Sequence, residues 1–117
     1  MANEFTVTTD IELTNGELVH PSNNRRKQFD QTTGRKYDAV HDISTSEETI
    51  TFVDVTPGWI RLTNLDATNY VTWGNVTGNL DQKIQPAASH LFEMSGGTLI
   101  IQANTAECKV RIEAFNT

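Results

Sequence analysis

Two carboxylates and an imidazole fall within five residues at Asp38-Ala39-Val40-His41-Asp42, a donor set able to ligate a hard or borderline metal ion. The spacing works against it. Side chains alternate along a strand, so Asp38 and Asp42 point one way with Val40 while His41 points the other, and only a bulge would bring the three together. His20 and His90 stand in unrelated segments with no thiol beside them, and no Ser, His and acid are spaced so as to specify a triad. Ser95-Gly96-Gly97 lies between two strand-like runs, whereas a phosphate-cradling loop must open a helix. Cys108 shares one face of a period-2 run with Val110, Ile112 and Ala114, opposite Lys109, Arg111 and Glu113, the setting of a small buried hydrophobe rather than a nucleophile. These residues predict no catalytic, cofactor or metal site, and hence a protein that is not an enzyme. Trp59, Tyr70 and Trp73, within fifteen residues of one another, could offer a flat platform to a sugar or a base. Their apolar neighbours Ile60, Leu62 and Val71 instead point to a core or a subunit interface.

The scaffold for these residues is small. A chain of 117 residues predicts a single domain, 1–117, with one modest core, and 37% apolar residues suit two thin layers better than a thick α/β core. A thin core calls for reinforcement, and a lone cysteine excludes an intrachain disulfide, which leaves oligomerisation or docking. Residues 1–20 hold acids but no Lys or Arg, the reverse of a secretory leader, and no apolar run reaches the roughly 18 residues of a membrane span, so synthesis in the cytoplasm and no membrane partner are expected. Asn75-Val76-Thr77 matches a glycosylation acceptor only formally without a secretory route. Net charge is −6, yet Arg25, Arg26, Lys27, Arg35 and Lys36 all fall between residues 21 and 36, where Asp30 is the only acid. An acidic body makes a poor duplex binder, so these clusters are expected to meet an acidic protein surface or solvent rather than nucleic acid.

Alternation from Glu4 to Leu13 predicts a strand with Phe5, Val7, Thr9, Ile11 and Leu13 on one face. Asn15-Gly16 then predicts a type I′ hairpin turn and a return strand over Leu18–His20, closed by Pro21. From Ser22 to Arg35 the chain is polar and basic with Phe29 as its single large apolar group, which predicts a long exposed loop or arm near 21–36. Strands are predicted over Tyr37–Ile43, Thr49–Val55, Trp59–Thr63, Tyr70–Trp73, Gln82–Gln85, His90–Met94, Thr98–Ala103 and Cys108–Phe115, bounded by turn residues. Helical periodicity is absent. The fold expected is an all-β antiparallel sandwich, with residues 1–45 supplying amino-terminal strands and the basic loop and 46–117 the main strands.

The run Ser46-Glu47-Glu48-Thr49-Ile50, then Asp54-Val55-Thr56-Pro57-Gly58-Trp59-Ile60, then Leu62-Thr63-Asn64-Leu65-Asp66-Ala67-Thr68-Asn69-Tyr70-Val71 and Gly74, resembles small virion structural proteins of tailed bacteriophages. Lys83-Ile84-Gln85-Pro86 and the stretch Thr98–Ala106 with its closing strand fit the same pattern, so the resemblance covers residues 46–115. It implies a jelly-roll-like β-sandwich that decorates or cements a phage head, binding the major capsid protein or other virion proteins in many copies or as a homo-oligomer. On that reading Arg25, Arg26, Lys27, Phe29, Arg35 and Lys36 grip the shell. A tail or fibre-attachment protein shares the fold and differs in partner, and a carbohydrate-binding module with its aromatics exposed is the reading from another class.

Overall fold

The computed structural model describes residues 5–31, 34–52, 55–94 and 98–116, and every regular element within them is a strand. Two compact units divide the chain, one within Met1–Thr33 and the other spanning Gly34–Asn116.

The first unit holds β1 (Phe5–Thr9), β2 (Leu13–Asn15), β3 (Leu18–His20) and β4 (Arg25–Phe29). β1 pairs antiparallel with β4 and β2 with β3, giving two separate two-stranded ribbons. The strand predicted from Glu4 to Leu13 is therefore broken; Glu4 itself lies outside the described residues. Its interruption has a local cause: the Asp10 carboxylate accepts hydrogen bonds from Ser22 Oγ (2.8 and 2.7 Å) and the Asn23 N–H (2.9 Å), tying it to the segment that follows β3. Ile11, expected on an inward face, is 73% exposed. The predicted hairpin forms with its turn shifted by one residue. Asn15 pairs with Leu18, so Gly16 and Glu17 make the loop, and Gly16 alone takes a positive φ (59°), the type II′ requirement rather than I′. A larger correction concerns the basic segment, which contains strand β4 where polarity predicted a loop. Backbone pairing with β1 rather than burial makes this strand: Arg25 to Gln28 are all exposed, and a two-stranded ribbon tolerates charge on both faces.

The second unit holds β5 (Lys36–Ile43), β6 (Glu48–Ile50), β7 (Trp59–Asn64), β8 (Val71–Gly74), β9 (Gln82–Ile84), β10 (Ser89–Glu93), β11 (Leu99–Ala103) and β12 (Cys108–Phe115). These build two four-stranded antiparallel sheets packed as a β-sandwich, one ordered β10-β7-β12-β5 and the other β6-β11-β8-β9. β5 thus belongs to the sandwich, which begins near residue 34. Strand β6 ends at Ile50, and of the longer run predicted there Val53 and Asp54 lie outside the described residues. Alternation decides what each strand buries. Ile60 and Leu62 of β7, Val71 and Trp73 of β8, Leu99 and Ile101 of β11, and Cys108, Val110, Ile112 and Ala114 of β12 form the core with Ile43 and Ile84.

One polar side chain is built into that core. Asn64, with 0% exposure, donates from Nδ2 to the carbonyl oxygens of Asn69 (2.9 Å), Ile84 (3.3 Å) and Gln85 (3.4 Å), while its Oδ1 accepts from the Asp66 N–H (3.0 Å). Asp66 Oδ2 in turn accepts from the backbone N–H groups of Thr68 (3.0 Å) and Asn69 (2.6 Å), so two side chains shape the whole Asn64–Asn69 connection. Gly74 closes β8 where a Cβ would stand 2.7 Å from the Asn79 carbonyl oxygen and 3.0 Å from Leu80 Cα, an approach only glycine permits.

Candidate interaction surface

Alternation along β4 distributes the expected partner-binding residues. Arg25 lies opposite Thr9, Arg26 opposite Thr8, Lys27 opposite Val7 and Phe29 opposite Phe5. Arg25, Lys27 and Phe29 therefore share a ribbon face with Val7 and Phe5, and Arg26 projects from the other with Thr6, Thr8 and Gln28. The Phe5 and Phe29 rings meet at 6.4 Å, Lys27 Nζ stands 6.0 Å from the Phe29 ring centre, and Val7 is buried. Arg35 and Lys36 belong to the sandwich instead. The Arg35 N–H donates to Asn116 Oδ1 (2.9 Å), and Lys36 opens β5 opposite Phe115. The five bases thus fall in two groups on different units.

The first unit also carries exposed apolar side chains, on both faces of one ribbon, that sequence reasoning missed. Ile11, Leu13, Leu18 and Val19 are all exposed on or beside the β2/β3 ribbon, which has no second layer of its own among the described residues. The available signal was the hairpin's length: three-residue strands are too short to enclose anything. His20 lines a shallow open cleft nearby with Thr9, Asp10, Ile11, Asn23 and Arg25.

The sandwich's outer face is occupied by ion pairs. Arg111 reaches Asp38 through Nε (3.0 Å) and Nη2 (2.7 Å), Lys109 Nζ contacts Asp42 at 2.6 Å, and Arg61 grips Glu113 at 2.7 Å. Arg111 holds the Asp38 carboxyl below its ordinary range, and Asp42 pushes the Lys109 ammonium up. His41 faces the opposite side of β5 and is hydrogen-bonded through Nε2 to the Tyr37 hydroxyl (2.7 Å). The Asp38, His41 and Asp42 side chains diverge as strand geometry requires. Among the described residues no three His, Cys, Asp or Glu side chains converge as a metal cluster.

The aromatics do not share a platform. Trp73, on β8, is buried, stacks on Phe92 at 4.1 Å and donates from Nε1 to His90 Nδ1 (3.0 Å), joining one sheet to the other. That bond requires a neutral imidazole, and burial holds the His90 pKa below its ordinary value. Trp59 is half-buried on β7 in the other sheet, and Tyr70 is half-buried beneath Lys83 Nζ, 4.1 Å from its ring centre. Cys108 is 1% exposed, and its thiol contacts the Ala106 carbonyl oxygen (3.4 Å); burial pushes its pKa up, away from the thiolate needed for reaction. Ser95-Gly96-Gly97 lies outside the described residues.

Comparison with protein-family models, curated proteins and solved structures finds no match to this chain.

Proposed function

We propose that the chain is a non-enzymatic structural protein of a phage virion, a head-decoration or cement protein that binds across shell subunits in many copies. The observation that carries this reading is the first unit. Two-stranded ribbons with exposed Ile11, Leu13, Leu18 and Val19 and the basic strand β4 cannot stabilise themselves by burial, and such a combination suits docking on a larger, acidic surface. The sandwich supports the same reading. Its strand orders, with β5 and β7 in one sheet alternating with β6 and β8 in the other and the first strand pairing the last, are those expected of an eight-stranded jelly roll, an architecture used by capsid and lectin domains. Fold alone does not choose among these roles. The resemblance of residues 46–115 to phage virion proteins favours the first. Trp73 stacked in the core disfavours an aromatic sugar platform.

The test is co-sedimentation with undecorated particles. Replacing Arg25, Arg26, Lys27, Arg35 and Lys36 by Ser or Gln should weaken attachment and reduce its dependence on salt, with far-UV circular dichroism unchanged, because exposed charges contribute within about 0.5 kcal/mol each to folding. Equal binding by both proteins at low and moderate salt would show that the bases play no part. Failure to bind heads but saturable binding to isolated tails would transfer the reading to a tail or fibre-attachment protein.

A further inference from the structure

We propose that β5 is a dimerisation edge, pairing antiparallel with β5 of a second copy about a two-fold axis at Ala39. The proposal rests on the sandwich alone and stands apart from any reading of its partners in a particle.

Four strands terminate the two sheets: β10, β5, β6 and β9. β6 and β9 have three residues each and β10 has five, whereas β5 runs for eight without Pro, Gly or bulge, in unbroken register with β12. Among the described residues no strand pairs with its other side. A long flat edge of this kind is a template for another strand unless something guards it. Backbone direction can be read from the neighbours. The Leu65 N–H donates to the Lys109 carbonyl (2.8 Å), which turns the odd residues of β12 toward β7 and the even ones toward β5. Even residues of β12 pair with odd residues of β5, such as Val110 with His41, and the Asn116 N–H donates to the Arg35 carbonyl (3.4 Å) in the same sense. Lys36, Asp38, Val40 and Asp42 therefore aim their N–H and C=O groups at the open side.

Their side chains supply the register. All four project from the outer face and are exposed, Val40 by 54%. A two-fold antiparallel pair places one residue opposite itself. Centred on Ala39, it sets Lys36 opposite Asp42 of the second copy twice over, sets Asp38 opposite Val40, and engages the whole strand. Centred on Val40 it would set Asp38 against Asp42 twice; centred on Asp38 it would oppose that carboxylate to its twin; centred on His41 it would shorten the overlap and leave Lys36 facing no acid. Centred on Tyr37 it would set Lys36 opposite Asp38 twice but engage only Lys36–Asp38 of the strand, so charge complementarity and full overlap together select Ala39. Nor do the two carboxylates guard the edge as isolated charges would, since Arg111 and Lys109 offset part of their charge from β12, while the Asp42 side chain stays 54% exposed to a further cation.

In this register Ala39 faces Ala39 across a non-hydrogen-bonded site, where Cα atoms stand about 4.5 Å apart and a disulfide can close. The full chain carrying Ala39→Cys should form a cross-linked dimer on mild oxidation, the buried Cys108 taking no part, while Val40→Cys, offset by two residues, should not. Sedimentation equilibrium of the unmodified chain should show a reversible dimer. Lys36→Glu should raise its dissociation constant about tenfold or more by opposing like charges, and Val40→Pro, which removes an outward N–H that an edge strand can spare, should abolish it with circular dichroism unchanged. A monomer at the highest soluble concentration would overturn the proposal. So would cross-linking through Val40→Cys but not Ala39→Cys, or a dimer indifferent to both Lys36→Glu and Val40→Pro.

Discussion

Asn64 and His90 show how single polar side chains set the terms for an apolar interior. Asn64→Ala should take the amide donor from the Asn69, Ile84 and Gln85 carbonyls, of which Gln85 keeps the Ala88 N–H, and leave the Asp66 N–H without its side-chain acceptor; because buried polar groups cost far more unpaired than they return when paired, the loss should be roughly 1–3 kcal/mol, read from urea unfolding. His90 gives a pH dependence with a definite sign. Its pKa in the fold lies below the ordinary 6.5, so the unfolded chain binds the proton more readily, and stability is greatest above that value and declines as pH falls below it toward the folded pKa. Melting temperature should therefore drop between pH 7 and pH 5, and His90→Gln, which can still accept from Trp73 but does not titrate, should flatten that part of the decline. Neither role was legible in the sequence. Asn64 appeared there as one residue of the run Leu62–Val71, and His90 stood in a segment with nothing to pair it with Trp73 seventeen positions away. Cys108 was legible, because a residue's burial follows from its place in an alternating run whereas its hydrogen-bond partner depends on the packing of a second sheet.

The elements divide along the same line. β12 spans the predicted residues and β7, β8, β10 and β11 agree to within a residue or two, since each has apolar alternation bounded by turn chemistry. β4 escaped because its pairing with β1 is a property of the backbone, and basic side chains conceal it. The first strand was overextended because periodicity is blind to a carboxylate such as Asp10 that finds better partners elsewhere. Between β9 and β10 the chain turns on Ala87, the one non-glycine described residue with positive φ (61°). Ala87→Gly should relieve that conformation and raise stability by about 0.5–1 kcal/mol, visible as a higher melting temperature; an unchanged or lower value would mean that the unfolded chain's gain in freedom outweighs the strain.

Across the whole molecule, core and exposed ribbon differ in how their backbone hydrogen bonds are protected. β7, β8, β11 and β12 bury Ile60, Leu62, Val71, Leu99, Ile101, Val110 and Ile112, whereas Val7 is the single buried hydrophobic side chain described in the first unit. Native-state hydrogen exchange should accordingly be slowest in those four strands and faster by orders of magnitude in β2 and β3. Docking of the first unit on a partner should slow its exchange without altering that of the core. The pairing of β5 with β12 has a further consequence. Because Arg35 and Asn116 are joined by hydrogen bonds, the sandwich receives its chain and releases it at one spot. Such a body can be spliced into a surface loop of another polypeptide, or circularly permuted through a short Gly-Ser bridge from Asn116 to Gly34, without redirecting a strand.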